Sequence, residues 1–523
     1  MTDNYIYNIG SAYRKIVAEH GTRPALKYMG GDIVTHDDLN ALANRMAAYL
    51  ADQGLNRRDI VAIVNSKTPR CFALMLAALK LGITYVNLDD RSPAARLVHI
   101  LATATPMLIM GEEIPENVQS AAKERNIEFV EMVKPSFLET LASLSSSEPL
   151  GLEAVSGADP AYIMYTSGST GIPKGALITH ANVINFSRWV EKRFNISAAD
   201  TFTNLNPMYF DNSVFDFYGA LLNGASLAPV PRDALSDATL LLDHVEASKS
   251  TIWFSVPSLL IFLITMKALS RDRLSTIKSF VFGGEGYPKT ELRKLYSLFG
   301  HRSDLINVYG PTECTCICSA WNVRAVDLEN ESGLVTLGPV ADNFSTIVLN
   351  EGRQAAPGET GELCLLGPQV GLGYMNDRDR TASAFVDNPF NLRWRERMYK
   401  TGDLVRIAED GISLNFVGRA DNQIKHMGYR IELEEIEAAI NKITNVSQSV
   451  AILHSDRRGI KVIVAYIAGN TLLREDGIRS QLETLLPQYM IPQRFIIRES
   501  LPKNANGKLD RIALADELRK SNL

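Results

Sequence analysis

The chain has 523 residues, 46% apolar and 22% charged, with 54 Lys plus Arg against 59 Asp plus Glu and a formal charge of −5. That length calls for more than one packed unit, the composition excludes wholesale disorder, and the lack of a basic excess excludes general polynucleotide binding. Five cysteines, an odd number, fit a reducing compartment better than a disulfide framework. The start Met1-Thr2-Asp3-Asn4-Tyr5 lacks the basic residues and apolar run of a secretion signal. The longest uncharged apolar stretch, 250–266, is short for a membrane span and contains Pro257, so a strand followed by a helix is expected there. These features predict a soluble cytoplasmic protein with neither membrane nor nucleic acid as partner.

In chain order, 61–64 reads as a strand, 70–81 as a helix with apolar i, i+3, i+4 spacing, and 85–88 as a strand. The alternation continues with strands at 106–110, 161–165, 279–282 and 305–308, each near a helical segment, which predicts parallel sheets covered by helices. The Ser-rich stretch 141–150 reads as a surface loop. From 345 to 367 the pattern changes to short antiparallel strands (346–349, 358–360, 362–366) joined by Gly/Pro turns. A strand at 412–417 leads to a boundary at Gly418-Arg419-Ala420-Asp421. Beyond it lies a compact α+β pattern with a helix at 432–441 and strands at 448–454 and 461–467. The expected division is a large α/β core over 1–417 with a small β-barrel-like part, a hinge at 418–421, and a small α+β domain over 422–523.

The strongest chemical signal is Tyr165-Thr166-Ser167-Gly168-Ser169-Thr170-Gly171-Ile172-Pro173-Lys174-Gly175. It follows a predicted strand and precedes a helix capped by Thr179. Its glycines allow close backbone approach, and its hydroxyls and one ammonium suit phosphoryl oxygens. A Walker A loop needs Gly-Lys followed by Ser or Thr, whereas Pro173 precedes Lys174 here and Gly175 follows it. The dinucleotide-binding G-x-G-x-x-G and the hydrolase G-x-S-x-G are also missing. Phosphate is held in another manner.

This loop resembles the signature of the adenylate-forming superfamily, and further motifs in order resemble the amino-acid adenylation domains of non-ribosomal peptide synthetases over nearly the whole chain. They are Leu79-Lys80-Leu81-Gly82-Ile83-Thr84-Tyr85-Val86, Asn307-Val308-Tyr309-Gly310-Pro311-Thr312-Glu313, Gly361-Glu362-Leu363-Cys364, Tyr399-Lys400-Thr401-Gly402-Asp403-Leu404, Gly418-Arg419-Ala420-Asp421 through Gly428-Tyr429-Arg430-Ile431-Glu432, and Asn506-Gly507-Lys508-Leu509-Asp510-Arg511. Two positions depart from the pattern: Asn87 stands where proline is usual, and Lys400 where arginine is.

The resemblance implies ATP and Mg²⁺ and assigns roles that suit the chemistry of carboxylate activation, in which charge gathers on phosphoryl oxygens. It implies Lys508 as the cation bridging substrate carboxylate and α-phosphate, Glu313 as the Mg²⁺ ligand, and Thr166 and Thr312 as hydroxyl donors to phosphate. The nucleotide site would comprise Thr166, Ser167, Gly168, Ser169, Thr170, Gly171, Lys174, Asn307, Tyr309, Gly310 and Thr312, with Asp403 on the ribose hydroxyls and Arg419 near ribose and phosphate. Asp421 would be the hinge at which the small domain rotates after adenylation, withdrawing Lys508 and bringing Gly428 toward the channel for a phosphopantetheine thiol.

Asp211, just before an apparent helix at 214–222, reads on its own as either a helix N-cap or a functional carboxylate. The resemblance implies a partner for a substrate α-ammonium, which acyl- and aryl-acid ligases do not need. The rest of the implied substrate pocket is Asn212, Phe215, Phe254, Val281, Gly283, Val308, Cys316 and Ile317, with Lys508 at the carboxylate. These side chains are apolar apart from Asn212, and Gly283 is expected to leave volume at the base, so an aliphatic amino acid of Ile/Val/Leu size is expected. Cys314, Cys316 and Cys318 would share one strand face and so could not wrap a tetrahedral zinc ion. The expected partners are the amino acid and a carrier protein, met in trans by a monomeric free-standing enzyme or an excised domain. The alternatives are a D-alanine–carrier protein ligase, an acyl- or aryl-CoA synthetase, and a catalytically silent nucleotide-binding scaffold.

Overall fold

The computed structural model describes residues 5–168, 171–330, 332–342, 344–455, 461–470, 473–504 and 509–520. Two sheets form the larger part. In the first, strand Asp304–Tyr309 lies beside Ser279–Phe282, then Ile252–Ser255, Thr201–Asn204, Ser226–Pro229 and Pro24–Lys27, all parallel, with Ser319–Asn322 and Ile33–Thr35 antiparallel at the edges. In the second, Pro160–Thr166, Thr84–Leu88, Ile60–Val64, Leu108–Gly111 and Glu128–Glu131 run parallel, and Lys174–Thr179 and then Gly373–Tyr374 close one edge antiparallel. Strands such as Ile60–Val64 are apolar at every position because helices cover both faces, and all five residues are buried. One apolar cluster, including Phe72, Tyr162, Phe202 and Phe215, joins the two sheets into a single core.

The run 345–367 does form antiparallel strands, Ser345–Asn350 and Thr360–Leu366, within a six-stranded sheet that also holds the long strand Arg397–Ile407. The expected strand at 358–360 is a turn with Gly358 at φ 85°, and the next strand begins at Thr360. The Ser-rich stretch 141–150 is a loop apart from its first three residues, which end helix Pro135–Ser143. Among the described residues no helix is long and apolar enough to cross a membrane.

Past residue 420 the chain builds a hairpin, Gln423–His426 with Tyr429–Glu432, and a separate three-stranded sheet, Val446–Ser455, Lys461–Gly469 and Arg494–Arg498, with its own apolar clusters. Helix Leu433–Ile440 turns Ile436 and Ile440 into one of these clusters.

One expectation is corrected at the phosphate loop. It leads into the strand Lys174–Thr179, which pairs antiparallel with Pro160–Thr166, and only then into helix His180–Phe194. Thr179 does cap that helix, in a reciprocal box with Asn182. The loop is thus the tip of a β-hairpin, so its anion-binding capacity rests on its own N–H groups and side chains, with no helix dipole behind it.

Candidate active site

The C-terminal ends of the parallel strands supply the floor of a cavity, as open α/β sheets dictate. Strand Pro160–Thr166 brings Thr166, whose buried Oγ1 has no hydrogen-bond partner among the described residues, followed by Ser167. Strand Asp304–Tyr309 brings Val308 and Tyr309, and the turn after it Gly310 and Thr312. Gly168 must be glycine, because a Cβ there would run into the Ile172 carbonyl, and Gly171 turns the loop at φ 79°. Ser169, Thr170 and Lys508 lie outside the described residues.

Asp211 does not cap the helix it precedes. Its backbone is helical (φ −63°, ψ −25°), its side chain bonds no N–H of Asn212–Leu221, and it instead accepts the Thr312 hydroxyl at the cavity wall. Burial raises this carboxyl above its ordinary pKa, and the Thr312 hydrogen bond opposes the rise. Asn212, Phe254, Val308, Cys316 and Ile317 line the same cavity, whereas Phe215, Val281 and Gly283 are not on its wall. Phe215 packs edge-on behind Phe254, with ring centroids 5.0 Å apart. The volume expected at Gly283 is already taken: a Cβ there would strike the backbone and side chain of Val308 on the neighbouring strand. Its glycine permits close strand approach. The three cysteines do not share a strand face. Cys314 ends a 3-10 turn, Cys316 has φ 73°, and Cys318 precedes strand Ser319–Asn322.

On the other wall, Asp403 accepts the Tyr309 hydroxyl at 2.6 Å and the Arg419 guanidinium at 2.8 Å. Arg419 also clamps Asp421, at 2.8 and 2.6 Å, and donates to Thr401 O at 2.9 Å. Asn307 donates to Thr336 O at 3.0 Å and lines an adjoining hollow together with Tyr309, Asp403 and Arg419.

Glu313 is fully buried. Arg430 of the hairpin reaches its two oxygens at 3.1 and 2.8 Å, Tyr374 donates at 2.7 Å, and Lys174 Nζ stands 3.6 Å away. Burial alone would raise its pKa, but Arg430 and Lys174 hold it well below the usual carboxylate range. Burial, and next the nearby Arg430, bring Lys174 down to about 8, against the pull of Glu313. A single carboxylate beside a phosphate loop fits Mg²⁺, which keeps most of its waters and shares phosphate oxygens. In this arrangement, however, the Glu313 oxygens are engaged by Arg430.

Three charged residues of the hairpin are missing from the sequence-derived site: Lys425, Arg430 and Glu432. Lys425 lies over the Tyr309 ring, 5.5 Å from its centroid. Burial lowers its pKa while Asp403 opposes that shift. Lys425 and Arg430 are cross-strand partners, a like-charge pair that is costly unless anions face it. That pairing is the signal available in the sequence, since Met427 and Gly428 are the two central residues of a turn with both φ positive, 51° and 79°.

The pattern of the AMP-binding enzyme family matches residues 13–375, and that of the AMP-binding enzyme C-terminal domain matches residues 435–508. The chain belongs to the AMP-binding enzyme family, and the resemblance carried by its ordered motifs is borne out. It is 32% identical over 493 residues to L-proline--[L-prolyl-carrier protein] ligase of Pseudomonas fluorescens, covering 93% of this chain and 95% of that one. It is 33% identical over 501 residues to surfactin synthase subunit 3 of Bacillus subtilis, covering 95% of this chain and 38% of that one. Thus the chain spans well under half the length of that synthase. Among solved structures, holo-PA1221, an NRPS protein containing adenylation and PCP domains bound to a vinylsulfonamide inhibitor, superposes with a TM-score of 0.83 at 26% identity, covering 98% of this chain and 84% of that one.

Proposed function

We propose that the enzyme uses ATP to activate an amino acid as an aminoacyl-adenylate, releasing pyrophosphate, and then passes the acyl group to the phosphopantetheine thiol of a carrier protein. The observation that carries this reading is Asp211, a half-buried carboxylate that caps no helix and lines the same cavity as Thr166 and Asp403. An anion partly withdrawn from water is stabilised by a cation, and a substrate ammonium supplies one. The ligase relative loads a prolyl carrier protein, as its name states, and the match covers 93% of this chain and 95% of that one.

In the first step the substrate carboxylate attacks the α-phosphorus and pyrophosphate leaves. Thr166, Ser167 and Lys174 hold the phosphates, and Asp403 with Arg419 holds the ribose. Glu313 would hold Mg²⁺, which would supply charge neutralisation at the phosphates. Lys508 acts in this step from the small domain. In the second step the domain turns about Asp421, the hairpin enters the cleft, and the thiol approaches along Gly428. Arg430 sits on Glu313 and Gly428 N–H donates to Glu285 at 3.3 Å, an arrangement that supports the second step. We take 1–417, 418–421 and 422–523 as core, hinge and mobile domain.

The side chain of the amino acid is read as aliphatic, because of the expected pocket residues Phe254, Val308, Cys316 and Ile317 do line the cavity and Asn212 is the polar one among them. The enzyme acts as a cytoplasmic monomer on a carrier supplied in trans. ATP–pyrophosphate exchange across the proteinogenic amino acids, D-alanine and a fatty acid tests the reading. An aliphatic L-amino acid is expected to dominate. A response confined to D-alanine or the fatty acid overturns the substrate, and no response at all overturns the activity.

A further inference from the structure

Glu435 stands in the first turn of helix Leu433–Ile440 of the small domain and is 2% exposed. One of its carboxylate oxygens pairs with the guanidinium of Arg96, 8% exposed, on helix Ala94–Ala104 of the core. The other accepts the Gly168 N–H of the phosphate loop at 3.2 Å. Beside it, Ser167 Oγ donates to Arg430 O at 2.6 Å and accepts from Glu432 N–H at 3.2 Å. Gly171 at the loop tip faces Ala438. An anion is therefore seated on a loop N–H and a buried cation, the donor set that suits a phosphoryl oxygen. Two anions cannot share those donors, since each would meet the other's charge without water between them.

We propose that Glu435 is a positioning residue that takes over the anion site of the phosphate loop from the departing pyrophosphate, so that bound pyrophosphate and the hairpin-in-cleft arrangement exclude each other. This rests on the adenylation reading above and adds an order to it. The small domain settles only after the leaving group has gone, and free pyrophosphate competes with the transfer step at a point remote from the thiol. Ser167 changes partner in the same exchange, from phosphate to the hairpin backbone. Arg96 serves both occupants in turn, since it stays in the core while the carboxylate comes and goes.

The test uses the full chain loaded with AMP, which does not react with pyrophosphate, and carrying a fluorophore on each domain. Pyrophosphate with Mg²⁺ is titrated, and both its affinity and the interdomain distance are read. Pyrophosphate is expected to drive the domains out of the arrangement described here. The Glu435→Gln variant is expected to bind it about tenfold more tightly, the size of one lost charge-assisted contact. Glu435→Asp, which keeps the charge but shortens its reach, is expected to fall between and serves if the glutamine variant is poorly folded. Adding Arg96→Gln to Glu435→Gln, where no interdomain ion pair is left to lose, removes the cation that serves pyrophosphate and is expected to weaken its binding relative to Glu435→Gln alone. Unchanged affinity in Glu435→Gln and Glu435→Asp overturns the proposal, as does a double variant that binds pyrophosphate as tightly as Glu435→Gln, for then Glu435 is only an interdomain ion pair. Amino-acid-dependent exchange by the wild-type enzyme reports on the adenylation reading separately.

Discussion

Asp211 and Gly283 are residues whose surroundings decide what they do. An aspartate before a helix ordinarily accepts an N–H of the first turn, yet here the helical φ and ψ of Asp211 turn its carboxylate to Thr312 and the cavity. Its raised pKa has a kinetic consequence. If the ionised carboxylate pairs with the substrate ammonium, kcat/KM for the amino acid falls as pH drops through that pKa, above the ordinary aspartate value of about 3.9. Thr312→Val removes the hydrogen bond that favours the ionised form, so its acid limb is expected to move to still higher pH; a limb that stays in place or moves down contradicts this pairing. Residue identity was legible in the sequence wherever a motif carried it. What a residue touches was not: Gly283 reads as empty volume in a list of pocket positions, and only the neighbouring strand shows that Val308 fills it.

Among elements, the buried strands and the helix 70–81 were legible because periodicity and turn residues are local. Strand Lys174–Thr179 was not, since its six residues sit directly before a strong helix cap and its pairing partner is set by sheet register. The hairpin Gln423–Glu432 was visible as a motif, but its place against Glu313 is a long-range fact. Its turn makes a sharp prediction. A Cβ on Gly428 would enter the space of Val256, and φ 79° already disfavours any other residue. Gly428→Val is therefore expected to cost about 1–3 kcal/mol in the hairpin-in-cleft arrangement. Transfer to the carrier thiol should fall by a larger factor than amino-acid-dependent exchange, and equal losses would contradict the hairpin's role in the second step. In the adjoining helix, Ile436→Ala is expected to lower the stability of the small domain by about 2–5 kcal/mol, read by denaturant melting.

At the scale of the molecule, the α/β architecture and the compact α+β unit at the C-terminal end were legible from alternating patterns. The relative placement of the two was not, because it depends on which charges meet across the cleft: Arg430 with Glu313, Glu435 with Arg96, Gly428 N–H with Glu285. The cleft walls include Arg419, Lys425, Arg430 and Tyr489 from beyond the core, whereas Leu501 and Leu509, which lie to either side of Lys508 in the chain, belong to an apolar cluster on the small domain's own sheet. One cleft is thus proposed to serve two reactions by receiving two different faces of one small domain. The direct measurement is Lys508→Ala assayed twice, by amino-acid-dependent ATP–pyrophosphate exchange and by thioester formation from preformed aminoacyl-adenylate. Exchange is expected to vanish while thioester formation largely persists; exchange at the wild-type rate, or equal loss of both, would contradict the account.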